Sequence, residues 1–141
     1  MGIFQELRSL VGSFFMVFIA DSLTTIRNAV MARHDYVVLP VNKIVYNILL
    51  VFRDNGFIED IVDVESEDFK KKVKVVLKKT RPINSIRMIS KPGRRVFSGY
   101  LKFPRFLNGF GLVVVSTSCG VMSAREAVKR KVGGEILCSI Y

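Results

Sequence analysis

Three hydroxyl side chains and a glycine within five positions, Ser116, Thr117, Ser118 and Gly120, form the densest group of small hydrogen-bonding residues in this chain. They follow the β-branched run Leu112–Val115 and precede a second apolar pair, Val121-Met122. This pattern predicts a buried strand that delivers the hydroxyls to a protein edge, where Gly120 turns the chain. Hydroxyls that both donate and accept suit sugars, phosphates and base edges. The same residues also make an ordinary polar turn between two core strands. Their surroundings have to decide.

Catalysis finds little support. A serine nucleophile at 116 or 118 needs a base, yet the single histidine, His34, lies in the other half of the chain, and no Gly-x-Ser-x-Gly elbow occurs. Cys119 has no evident partner as a nucleophile. No glycine-rich phosphate loop follows a strand. Two cysteines, Cys119 and Cys138, with one histidine do not assemble a zinc site, and without a secretion signal both thiols are expected to stay reduced. The expectation is no enzyme, no metal and no cofactor.

Charge is more telling. The net charge is +10 and strongly uneven. Residues 1–69 carry five basic and ten acidic side chains, whereas residues 70–141 carry seventeen basic and only Glu126 and Glu135 as acids. A polyanion is the expected partner of the second half, nucleic acid before anionic membrane. The cations concerned are Lys91, Arg94, Arg95, Lys102, Arg105, Arg125, Lys129 and Lys131. They supply salt-dependent backbone affinity, and the hydroxyl loop adds orientation and shape selectivity.

The elements that must position these groups follow from periodicity. Residues 10–20 are the most apolar stretch, about half the length of a membrane span. We expect Phe14–Ala20 to pack against the domain and residues 1–16 to be an extension of unknown role. A helical pattern begins at Asp21: Ile19, Leu23, Ile26 and Val30 form one apolar stripe, with Thr24, Arg27 and Asn28 on the solvent side. Asp35–Pro40 reads as a strand, Asn42–Arg53 as a helix closed by Gly56, and Phe57–Val64 as a strand. In Lys70–Lys79, Val73, Val75 and Leu77 alternate with Lys72, Lys74, Val76 and Lys78, a strand with one basic face. Lysines there also suit a protected sheet edge.

Thr80-Arg-Pro82 reads as a linker and Ile83–Ser90 as a strand. A cationic turn follows at Lys91–Arg95, then one helical turn at Phe103–Asn108. Ser123-Ala-Arg-Glu126 matches a capping box, opening a helix from Ala124 to about Lys131 that Gly133-Gly134 breaks. Glu135–Ile140 is the last strand. The predicted class is α+β: an α-β-α-β-β lobe over 17–80 and a mostly β lobe with short helices over 81–141, the latter binding RNA.

Four segments then carry a resemblance: Ile19-Ala-Asp-Ser-Leu-Thr-Thr-Ile-Arg-Asn-Ala29; Asn55-Gly-Phe-Ile-Glu59; Ile89-Ser-Lys-Pro-Gly-Arg-Arg95; and Val115-Ser-Thr-Ser-Cys-Gly-Val-Met122 with Gly133-Gly-Glu-Ile-Leu-Cys138. In order and spacing, from about residue 17 onward, the chain resembles the small-subunit ribosomal protein S-eight family. The resemblance implies primary binding to a helical junction in the central domain of small-subunit ribosomal RNA, supporting assembly and translation. It implies neighbouring small-subunit proteins as partners, no small-molecule substrate and no stable membrane insertion. Ser116, Thr117, Ser118, Gly120 and Glu135 match the family's main recognition surface, and Asp21, Thr24, Arg27 and Asn28 match a second contact on the first helix. By resemblance Glu135 accepts from base or sugar donors or fixes the loop from inside. The ending Glu135–Tyr141 is similar to plastid-encoded members, which implies a plastid ribosome.

Three positions depart from the family pattern. Cys119 stands where relatives place a cation, Thr25 replaces an arginine, and Phe97 lacks a tyrosine hydroxyl. The lysine-rich strand is expected to offset the lost charge. The alternative readings are a basic membrane-peripheral protein and a general RNA chaperone.

Overall fold

The computed structural model describes residues 2–64, 71–80, 83–104 and 111–141, with side chains from Met16 onward. Helix α1 (Gly2–Met31) leads to strand β1 (Tyr36–Pro40), helix α2 (Lys43–Asp54), and strands β2 (Ile58–Val64) and β3 (Lys72–Leu77). Strands β4 (Ile86–Met88), β5 (Phe97–Ser98), β6 (Leu112–Thr117) and β7 (Gly120–Ser123) follow, then helix α3 (Ala124–Arg130) and strand β8 (Gly134–Ile140). The class is α+β, with two antiparallel sheets.

Helix α1 is longer than the periodicity suggested. It does not begin near Asp21 but continues back to Gly2 as one element. No proline interrupts residues 2–31, so nothing breaks the backbone ladder. The predicted stripe is real: Ile19, Leu23 and Ile26 are buried and Val30 is half-buried. No described helix is long and apolar enough to cross a membrane.

Helix ends follow one device with different residues. Beyond α2, Gly56 takes φ +79 while its N–H reaches the Arg53 carbonyl and Phe57 N–H reaches Phe52, the paired bonds of a Schellman closure. The same bonds close α1 with Arg33 at φ +58 and α3 with Lys131 at φ +56. The glycine pair 133–134 therefore does not end α3, as its sequence position suggested. Lys131 does, and the glycines are needed elsewhere. The Ser123 hydroxyl caps α3 by accepting from Glu126 N–H at 3.2 Å, while the Glu126 carboxylate pairs forward with Arg130 at 3.0 Å. Only half of the expected capping box forms.

The first sheet has the order β1-β3-β2. The lysine strand is its centre, so the edge-protection reading falls: both backbone edges of β3 are paired. Val73, Val75 and Leu77 point into the core and Lys72, Lys74 and Val76 to the other face. Lys74 lies 4.3 Å from the centre of the Tyr36 ring. Strands β4, β8, β6 and β7 form the second sheet, with β5 also pairing β8. One apolar core joins both sheets through α1 and α2: Ile19, Ile26, Ile48 and Phe52 pack with Val73 and Val75 from one side and Leu112, Val114 and Ile140 from the other. A smaller core, Val113, Val115, Met122, Ala127 and Ile136, lies under α3. Every residue of β8 from Glu135 to Ile140 is buried, the polar Glu135 and Ser139 included.

The helical turn expected at Phe103–Asn108 falls mostly outside the described residues. A single 3-10 turn spans Tyr100–Lys102, and Phe103 is already extended at φ −63, ψ 134. Residues 105–108 lie outside the described residues.

Candidate nucleic-acid interface

The two-residue hairpin between β6 and β7 presents the hydroxyl loop. Thr117 pairs with Gly120 across it. The Thr117 hydroxyl donates to the Gly120 carbonyl at 2.9 Å and accepts from Cys119 N–H at 3.1 Å. Its proton and one of its two acceptor positions are engaged within the turn, and Gly120 adopts φ +112, which few other residues tolerate. Ser116 is half-buried and Ser118 exposed. Neither hydroxyl has a hydrogen-bond partner among the described residues. Thr117 shapes the loop by its bonds to Gly120 and Cys119.

Strand register brings the distant sequence pieces together. Ser116 lies opposite Glu135, and Glu135 lies opposite Phe97 on its other side. The next row is Thr117, Gly134 and Ser98. This explains the glycine pair: a Cβ on Gly134 would sit 2.1 Å from the Ser116 carbonyl oxygen, and one on Gly133 would sit 2.8 Å from that of Ser98. Only hydrogen at these positions lets the three strands close under the loop.

Glu135 is buried, and its carboxylate accepts two bonds from Arg95, Nε at 3.2 Å and Nη2 at 2.5 Å. This forked pair holds the guanidinium in one orientation, with its Cζ 5.6 Å from the centre of the Phe97 ring, within cation–π range. Phe97 is 66% exposed. The result is a cation beside an aromatic face, next to two hydroxyls. That combination offers phosphate attraction, stacking and hydroxyl contacts together.

The cationic turn is held with equal care. Lys91 and Arg94 exchange both backbone bonds at 3.0 Å, while Lys91, Arg94 and the Pro92-Gly93 tip are exposed. Behind them, fully buried Ser90 accepts from Val96 N–H at 2.9 Å and donates to the Val96 carbonyl at 3.4 Å. Residue-type reasoning passed over Ser90 as a positioning group. Its cue was a lone small polar residue between an apolar run and a Pro-Gly turn.

On α1, Asp21, Thr24 and Asn28 are exposed as expected. Arg27 is not on the open face. It is half-buried, and its guanidinium donates to the Ile86 carbonyl, tying α1 to β4. Thr25 donates back to the Asp21 carbonyl at 2.9 Å. Lys102, Arg125, Lys129 and Lys131 are exposed, and Arg105 lies outside the described residues. The lysines of β3, Lys72 and Lys74, lie on the sheet face opposite Val73, Val75 and Leu77.

Residues 18–141 match the model of the family described as Ribosomal protein S8. The chain belongs to that family. Among the similar relatives, the small ribosomal subunit protein uS8 of Wolinella succinogenes is 53% identical over 127 residues, covering 87% of this chain and 96% of the relative. Those of Helicobacter pylori strain Shi470 and Helicobacter acinonychis are 46% identical with the same coverage. These relatives are bacterial, and the plastid setting expected from the C-terminal residues finds no support among them. Cys119 is an exposed thiol at the hairpin tip, and Phe97 is an exposed aromatic ring against Arg95.

The thiol supplies a reporter. Burial pushes the Cys138 thiol up to about 12, while Cys119 is exposed. Since the thiolate is the reactive form, a maleimide at pH 7 should label the folded chain once, at Cys119, and label Cys138 only after unfolding. Mass analysis of the labelled peptides checks this. Two labels on the native chain would contradict the buried placement of Cys138.

Proposed function

We propose that this protein is a constituent of the small ribosomal subunit that binds the central domain of small-subunit ribosomal RNA. It supports assembly and translation and does no catalysis. The observation that carries the reading is the row Ser116–Glu135–Phe97 with Arg95 clamped onto it, beside the exposed turn Lys91–Arg94. The site residues are Ser116, Ser118, Lys91, Arg94 and Arg95 as direct contacts. Thr117, Gly120 and Glu135 act as positioning groups, and Asp21, Thr24 and Asn28 form a second contact. Family membership over residues 18–141 supports the RNA target. Neighbouring small-subunit proteins are the other partners.

The deciding experiment is RNA binding by the Ser116→Ala, Ser118→Ala double variant. Two lost hydrogen bonds, each worth about 0.5–1.5 kcal/mol, weaken specific affinity by roughly tenfold while the salt dependence stays unchanged, because no cation is removed. An affinity within twofold of the parent returns the loop to an ordinary turn. Labelling gives a second readout: bound RNA should slow maleimide addition at Cys119 and leave the unfolding-dependent labelling of Cys138 unaltered.

A further inference from the structure

A cavity of about 370 Å³ is lined by Val30, Arg33, His34, Phe57, Leu77, Lys78, Lys79 and Ile83, none of which belongs to the hydroxyl hairpin. Its size falls within the range of ligand sites. The floor is apolar and built from buried residues of separate elements: Phe57 before β2, Leu77 at the end of β3, and Ile83. The rim is basic. Arg33 and His34 come from the closure of α1, and Lys78 and Lys79 follow β3.

The rim cations are unequal. Lys79 is engaged by Asp35 at 2.6 Å, each holding the other in its charged form. Asp35 and Glu59 line the adjoining hollow, not this cavity. Arg33 and Lys78 have no carboxylate partner among the described residues, and they stand over an apolar floor. Arg33 also occupies a left-handed backbone position at φ +58 that glycine would fill with less strain. Arg33 is exposed and lines the cavity.

An apolar floor with a one-sided cationic rim selects a ligand with a flat apolar body and an anionic head. We propose that this cavity binds a nucleoside phosphate, with the base on Val30, Phe57, Leu77 and Ile83 and the phosphate between Arg33 and Lys78. The nucleotide is either free or an unstacked residue of a bound RNA, and the chemistry is shared. The site is independent of the interface described above.

The test is a nuclear magnetic resonance titration of the full-length chain with AMP, with adenosine and inorganic phosphate as separate probes. AMP should shift the amides of Val30, Arg33, His34, Leu77 and Lys78 saturably, at least about tenfold more tightly than either half-molecule. The Arg33→Glu, Lys78→Glu variant should lose that response while the amides of Val114 and Leu137 keep their positions, which reports an intact core. If AMP produces no shift, the RNA-borne form is tested by acetylation of Lys78 with and without ribosomal RNA. Protection by RNA that persists in the Ser116→Ala, Ser118→Ala variant at saturating RNA supports that form. Equal responses to AMP and inorganic phosphate, or neither AMP shifts nor RNA protection, overturn the proposal.

Discussion

Replacing Gly134 with alanine is expected to destabilise the protein by about 1–3 kcal/mol and to weaken specific RNA binding on the order of tenfold. The cause is a backbone collision. A Cβ at 134 meets the Ser116 carbonyl oxygen at 2.1 Å and its carbon at 2.9 Å. A side chain would swing aside; a paired strand does not. Either β6 moves away from β8, which loosens the two cores they share, or the hairpin tilts and carries Ser116 and Ser118 out of line. Gly99→Ala is the control, because a Cβ there has nothing within 4 Å. Urea unfolding and RNA titration of both variants check this. A Gly134→Ala protein as stable and as tight-binding as Gly99→Ala would mean that β6 and β8 approach less closely than described.

Removing the Glu135 carboxylate has the second large effect. Glu135→Ala takes away both acceptors that hold Arg95. Breaking a fully buried ion pair costs about 3–5 kcal/mol. Here the carboxylate side chain is only 6% exposed but the arginine side chain is 45% exposed, so water recovers part of the loss and about 1–3 kcal/mol is expected. The binding readout separates positioning from simple electrostatics. Deleting an acid beside RNA should strengthen a purely Coulombic interaction, whereas losing the orientation of Arg95 weakens specific binding. We expect specific affinity to fall several-fold while affinity for unrelated RNA rises or holds. Glu135→Gln retains one acceptor and should fall between. A uniform rise in affinity for every RNA would show that Glu135 acts as a misplaced charge and not as a holder of Arg95.

Local pattern carried much of this protein. The alternation in Lys72–Leu77 marked its inner and outer faces because side chains in a strand alternate whatever the neighbours do. The stripe Ile19, Leu23, Ile26 marked the buried side of α1 for the corresponding helical reason. Ser123 and Gly56 marked helix ends because capping chemistry is completed within a few residues, and Asn42, read as the first helical residue, is the N-cap of α2. The basic second half and the hydroxyl run pointed to nucleic acid through charge and donor count alone, and the spaced segments pointed to the S-eight family.

Other features rest on contacts between residues far apart in the chain, which no local pattern encodes. Lysines look the same on a central strand and an edge strand, and only pairing on both sides put β3 in the middle. Arg27 sits on a polar helix face by spacing, yet the nearby Ile86 carbonyl draws it inward. Gly133-Gly134 reads as a helix stop, because a close approach to Ser116 and Ser98 exists only once β5, β6 and β8 are side by side. The chain by itself determined which residues are equipped for chemistry: small hydroxyls, cations and one carboxylate. Tertiary structure decided how they are paired. The hairpin engages Thr117 within the turn, and folding around β8 sets Glu135 on Arg95, while the Ser116 and Ser118 hydroxyls have no partner among the described residues.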